Sequence, residues 1–239
     1  MEVIKRHKSA VIIALVLVLV IVVGLGINVT TNHESTNNGS ISQENTEKEA
    51  FETEYAALKE AAVGEEIDLA HATWRVLAVE EGKVLLIRKY VLRKIAYNNS
   101  YNQITWQNCT LRNWLNETYY KQYFSEEEQS VILETELENK GSKKYGTRSE
   151  YNTTDRIFCL SIKEAEKYFT SEADRIAMTE DGSIAFWWLR DVWDSDEECV
   201  ASGVYSGNIC AWGHSISFYE NEKGETATVR PAMWVSVTE

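Results

Sequence analysis

The sequence predicts an α+β fold: one compact domain with short helices in its N-terminal half and a β-rich, loop-rich C-terminal half, preceded by one transmembrane helix. Three observations predict it. The run AVIIALVLVLVIVVGLGI at residues 10–27 is apolar and uncharged, and it is long enough to span hydrocarbon as a helix, which takes about 17 to 25 residues. Two Ser-x-x-Glu sequences, at Ser125 and Ser161, mark the starts of short helices. The last quarter of the chain breaks into β-type segments punctuated by glycines.

Lys5, Arg6 and Lys8 precede the apolar run. Cations beside a span stay in the cytoplasm, so residues 1–9 are expected inside and everything beyond residue 27 outside, with the lipid bilayer as partner of the 10–27 anchor. A cleaved signal peptide is the alternative; the length of the run and the lack of a small-residue cleavage motif argue for an anchor. Residues 28–50 are rich in Asn, Ser, Thr and Glu and read as a disordered polar linker. Phe51, Tyr55, Leu58 and Ala62 recur at helical spacing, which predicts a juxtamembrane helix over 51–62 and an extracytoplasmic domain over 63–239.

Within that domain, ATWRVLAVEEGKVLLI reads as two strands joined at Glu80-Glu81-Gly82, with Trp74, Val76 and Ala78 alternating with Arg75, Leu77 and Val79. TLRNWLNETYY places Leu111, Trp114 and Leu115 on one helical face behind Thr110 as N-cap. Ile157 to Leu160 form a short apolar strand that feeds the helix beginning at Ser161. AFWWLR, VASGVY, NICAWG and ATVRPAMWVSV supply the later strands, with Ser206-Gly207-Asn208 as a turn and Pro231 near a strand start or on an edge.

The chain carries 24 Lys and Arg against 37 Asp and Glu, a formal net charge of −13. Nucleic acid is thereby a poor partner, since it requires concentrated positive charge. Cys109, Cys159, Cys199 and Cys210 lie in a compartment that permits disulfides. A turn at Ser206-Gly207-Asn208 leaves Cys199 and Cys210 out of register, and free thiols are the expected state.

The densest candidate chemistry is FWWLRDVWDSDEEC, from Phe186 to Cys199. Trp188, Arg190, Trp193, Trp212 and Arg230 are the candidate ligand-binding residues, because indole faces and guanidinium groups stack on rings and order acids. Asp191, Asp194, Asp196 and Glu197 offer hard oxygen ligands of the kind Ca²⁺ takes, although their spacing is not that of an EF-hand. A packed tryptophan strand leaving into a solvated acidic loop is the competing structural reading. Only His71 and His214 lie in the domain, and no nucleophile, zinc or phosphate-loop motif is present. A membrane-anchored extracytoplasmic binding or interaction module, taking a cell-surface glycan, peptide or protein, is therefore the first expectation. The alternatives are a cell-envelope hydrolase working through paired carboxylates, as glycosidases do, and a purely structural envelope component.

The blocks WRVLAVEEGKVLLI, TWQNCTLRNWLN, FSEEEQSVIL, TTDRIFCLSIKEAEKYF, WWLR and VRPAMWV occur in order from about Gly64 to the end. In this order they resemble a bacterial family of domains of unknown function, frequent in surface and secreted proteins of Gram-positive anaerobes. Members follow W-W-L-R with a small neutral turn, whereas this chain has Asp191 to Glu198, so a function carried by that loop is peculiar to this sequence or variable in the family. More distantly, the tryptophan-rich strand and the terminal V-R-P segment are similar to the C-type-lectin-like fold shared with formylglycine-generating enzymes. That resemblance implies paired N- and C-terminal strands and a loop region that binds. The close cysteine pair of those enzymes has no counterpart at Cys199 and Cys210.

Overall fold

The computed structural model describes residues 37–218 and 227–238, with side chains from residue 46 onward. Helix α1 (Asn37–Lys59) leads to strands β1 (Glu66–Leu69), β2 (Ala72–Glu80) and β3 (Lys83–Arg88). A 3₁₀ turn (Trp106–Asn108), α2 (Thr110–Asn113), a π-helical turn (Trp114–Tyr119), α3 (Tyr120–Tyr123) and α4 (Glu126–Val131) follow. Next come the ribbon strands β4 (Thr135–Leu137) and β5 (Thr153–Asp155), then α5 (Ile162–Tyr168) and α6 (Glu172–Arg175). The remaining described elements are β6 (Ala177–Met178), β7 (Ile184–Val192), β8 (Val200–Tyr205), β9 (Asn208–Ser215), β10 (Ala227–Thr228) and β11 (Ala232–Ser236).

Residues 45–239 make one compact α+β unit. The expected fold class needs a correction ahead of it. The span expected at 10–27 lies outside the described residues, and among the described residues no helix is long and apolar enough to cross a membrane. Among the described residues the long helix α1 is polar along most of its length, and in its last turns Leu58 is buried and Phe51 and Tyr55 pack on the core. Its start at Asn37 also means that part of the 28–50 segment expected to be disordered is helical, and its end at Lys59 falls short of residue 62.

One sheet is ordered β1-β2-β3-β11 with every neighbour antiparallel. The C-terminal strand thus pairs with an N-terminal one, Trp234 opposite Leu85. The β2–β3 turn falls at Glu81-Gly82 as the sequence predicts, but strict alternation along β2 fails. A bulge between Val76 and Ala78 puts Val76 and Leu77 both in the core and leaves Val79 46% exposed. One inserted residue flips every later side chain to the other face, and periodicity alone does not locate it.

The second sheet runs β10-β7-β8-β9, with β6 also on β7. The segment ATVRPAMWVSV divides between the two sheets: Ala227 and Thr228 run parallel to Phe186 and Trp187, and Ala232 onward joins β3. Pro231, which has no N–H to give, sits at the crossing and contributes its carbonyl to the Arg88 N–H at 2.9 Å. Ser206 and Gly207, with φ of 48° and 82°, make the β8–β9 turn, and Cys210 faces Gly203, four positions from Cys199. All four cysteines are free thiols.

Both capping boxes form. Ser125 Oγ accepts the Glu128 N–H at 3.2 Å while Glu128 returns to the Ser125 N–H at 2.7 Å, and Ser161 and Glu164 repeat this at 3.1 and 2.8 Å. The expected cap at Thr110 is displaced by one residue, because Cys109 Sγ accepts the Arg112 N–H at 3.4 Å. Ile157 to Leu160 are all buried but contribute only a bridge among the described residues, Phe158 to Ala232, since other groups take the neighbouring backbone: Asn116 bonds both the N–H and the carbonyl of Ile157, and Arg190 donates to the carbonyls of Cys159 and Leu160.

Candidate functional site

β7 is an inner strand with layers on both faces, and this decides what its aromatic pair does. Trp187 and Trp188 point to opposite sides, and both are fully buried. Trp188 donates its indole N–H to the Ile95 carbonyl at 2.8 Å and meets Tyr97 and Phe186 edge-on. Trp187 donates to the Arg175 carbonyl at 3.1 Å and packs on Phe169. Neither indole presents a face to a ligand.

Arg190 is 3% exposed and serves the interior. Its guanidinium forms a two-pronged ion pair with Glu164, one prong at 3.0 Å, and donates to Asn139 Oδ1 at 2.9 Å and the Cys159 carbonyl at 3.0 Å. Burial works to raise the Glu164 carboxyl, but the charge and hydrogen bonds of Arg190 outweigh it and hold the group below its ordinary range. Arg230, also 3% exposed, lies 5.4 Å from the Phe169 ring centre and 5.5 Å from that of Trp187. Its Nε donates to the Arg88 carbonyl at 2.8 Å, but its Nη1 finds no partner among the described residues. Burial, with a contribution from Arg75, pushes its pKa down to about 9.

The acidic stretch does not gather. Strand β7 runs two residues past Arg190, so Asp191 turns inward and accepts the Ile162 N–H at 2.6 Å at the start of α5. Asp194, Asp196 and Glu197 are exposed, and Ser195 Oγ organises the turn by accepting the Glu197 and Glu198 N–H groups. Among the described residues no three His, Cys, Asp or Glu side chains meet as a metal would require. Trp193 is half-buried against Gly146, where φ is 64° and an added Cβ would come within 2.9 Å of the indole. Arg148 ties the loop down through the carbonyls of Trp193 (3.0 Å) and Ser195 (2.8 Å). Trp212, on the edge strand β9, is 71% exposed and stands apart from the buried three.

Behind Arg148 lies a void of about 10 Å³ lined by Asn139, Glu150, Ser161, Arg190 and Asp191, room for about one water molecule. Glu150 Oε2 accepts the Trp106 N–H at 2.7 Å, while Oε1 is buried without a partner among the described residues. Burial is the main cause that pushes its pKa up to about 7. The folded state therefore holds this proton more tightly than the unfolded chain. The associated stability is complete below about pH 4.5 and is lost as pH rises towards 7, by roughly 2–3 kcal/mol. Urea midpoints of the wild type should fall between pH 5 and pH 7.5, and Glu150→Gln should remove most of that fall.

Larger open concavities also occur among the described residues, and two matter here. One, of about 410 Å³, lies between α1 and the β1–β2 turn and is lined by Phe51, Glu54, His71, Tyr123 and Glu128 among others. Burial and the neighbouring Glu128 raise the Glu54 carboxyl, partly offset by the Ala70 N–H. The other, of about 440 Å³, is lined by Arg93, Lys94, Asn99, Thr110, Trp114 and Ser217 together with Ile95 and Ala96. Among the described residues its lining contains two cations and no acid, on a chain with an excess of acids. The π-helical turn that begins at Trp114 leaves this indole half-buried at the groove, stacked on Tyr119 at 5.4 Å, while Leu111 and Leu115 keep the core face. The Arg93 guanidinium lies 5.1 Å from the Trp114 ring centre. Local sequence signals miss this groove because its lining comes from a connecting loop, a helix start and residue 217, far apart in the chain.

Fold and groove together define a two-sheet α+β domain with a basic, aromatic-walled groove open to solvent. The chain belongs to the family described as Domain of unknown function (DUF6273), whose model matches residues 81–237. No curated protein and no solved structure matches it.

Proposed function

We propose that the chain is an extracytoplasmic binding module whose recognition surface is the groove at Trp114. The observation that carries this reading is the contrast between an acidic chain and a groove whose described lining holds Arg93 and Lys94 and no carboxylate. A surface groove of this size with an aromatic wall and a few polar groups has the usual make-up of a ligand site. Placement outside the cytoplasm draws on the apolar run at 10–27 behind three cations, the sequence pattern of an export signal. The resemblance to surface proteins of Gram-positive anaerobes and to lectin-like folds points the same way, towards a glycan or peptide of the cell envelope.

Binding is favoured over hydrolysis by the state of the acids. In the α1 cleft, Glu128 is committed to the Ser125 N–H, and the remaining carboxylates of the lining, Glu47 and Glu54, are both carried by α1 itself rather than by facing walls as a glycosidase pair would be. Cys109, Cys159 and Cys210 make poor nucleophiles, since burial pushes the Cys109 thiol up to about 12 and also raises the other two.

Asn99 is exposed on the groove lining, and its backbone N–H, not its side chain, bonds Thr110 Oγ1 at 3.0 Å. Asn99→Trp should fill the groove without disturbing the fold. On an array of bacterial envelope glycans and peptides, the full chain should bind a subset of spots and Asn99→Trp should lose them. Equal binding by the variant, or no binding by the wild type, would refute the groove as the site.

A further inference from the structure

The class of ligand follows from how the groove holds its donors. An exposed arginine ordinarily loses much rotamer freedom on binding, but Arg93 is already laid over the Trp114 ring, which is itself stacked on Tyr119. Its planar fork is thus ordered before a ligand arrives, and that fork matches the two oxygens of a carboxylate or phosphate. Among the described residues no carboxylate forms an ion pair with Arg93. Apart from the flexible ammonium of Lys94, the rest of the polar lining is of a different kind: the hydroxyls of Thr110 and Ser217 and the amide of Asn99. Such groups exchange hydrogen bonds with hydroxyls in either direction. One ordered cation next to several hydroxyl and amide groups fits a ring of hydroxyls that bears a single anionic substituent.

Resting on the groove as the binding site, we infer that its ligand is an anionic saccharide, with a carboxylate or phosphate on the Arg93 guanidinium and hydroxyls against Asn99, Thr110 and Ser217. A neutral sugar leaves the fork unused. A bare anion leaves the hydroxyl and amide groups unused.

The test follows the indole N–H resonance of Trp114 in the full chain, assigned by its loss in Trp114→Phe, during titration with single probes. Glucuronate and glucose 6-phosphate, which separate the two anion sources, should each shift the resonance saturably. Glucose and inorganic phosphate should bind about tenfold more weakly or worse, the scale of one lost charge-assisted hydrogen bond. Arg93→Met should weaken glucuronate by a similar factor, Arg93→Lys by less, and added salt should weaken it progressively. Glucose binding as tightly as glucuronate, with Arg93→Met neutral, would overturn the anionic class while leaving the groove as the site. Inorganic phosphate or a glutamate-rich peptide matching or exceeding the sugars would overturn the saccharide. If no probe moves Trp114 while array binding persists and is still abolished by Asn99→Trp, the ligand class fails alone; if Asn99→Trp also has no effect, the groove reading fails with it.

Discussion

Replacing Trp188 with alanine should destabilise the domain by about 3–5 kcal/mol, the range for deleting a large buried aromatic. The side chain is fully buried between two layers, its indole N–H satisfies the Ile95 carbonyl, and Tyr97 and Phe186 rest against its edges. Tyr97 in turn donates to the Arg190 carbonyl at 2.9 Å, so the cavity would open beside the connection between β7 and the loop carrying residues 91–99. Trp188→Phe keeps most of the volume and loses the indole donor, so it should cost distinctly less. Urea denaturation of the two variants against the wild type measures both. A loss below 1 kcal/mol for alanine would mean that this indole is not the core element described above.

The second large effect concerns Arg190. Arg190→Met should cost about 3–5 kcal/mol because it leaves the partly buried Glu164 carboxylate without its partner and strips the buried Asn139 Oδ1 and Cys159 carbonyl of their donor. Glu164→Gln in the same background should recover part of that loss, since glutamine carries no charge and still serves the third position of the α5 capping box. The coupling between the two substitutions, read from a double-mutant cycle by denaturation, should exceed about 1 kcal/mol, as for other residues sharing one network. Additive losses would show that Glu164 stabilises α5 and Arg190 stabilises β7 independently.

These two residues also show what was legible in the sequence. The capping box at Ser161 is a local pattern, so the start of α5 and the position of Glu164 were readable, and an acid partner for Arg190 was among the expected roles. Which acid it would be depended on a contact between residues 26 positions apart. Trp187 and Trp188 had to face opposite sides of any strand, but whether a second layer covered the outer one depended on α5, α6 and the loop through Ile95. The β2–β3 hairpin and the Ser206-Gly207 turn were written in turn chemistry. The bulge at Leu77 and the sulfur cap at Cys109 were not, because each arises from packing rather than propensity. The acidic residues after Arg190 drew attention by their density, yet Asp191 accepts a backbone N–H at a helix start and, among the described residues, the exposed ones do not converge on one point. The groove carried no local signature, since Arg93 and Trp114 acquire meaning only when a loop and a π-helical turn bring them together.

Recognition in the groove, rather than on the tryptophan-rich stretch and its neighbours, is tested most directly by Asn99→Trp and Trp212→Ala side by side on the envelope-glycan array. Both positions are exposed, so neither variant should unfold the domain. The groove account predicts that Asn99→Trp abolishes binding while Trp212→Ala binds as the wild type does. Loss of binding by Trp212→Ala with full retention by Asn99→Trp would contradict it and move the site to the edge of the second sheet.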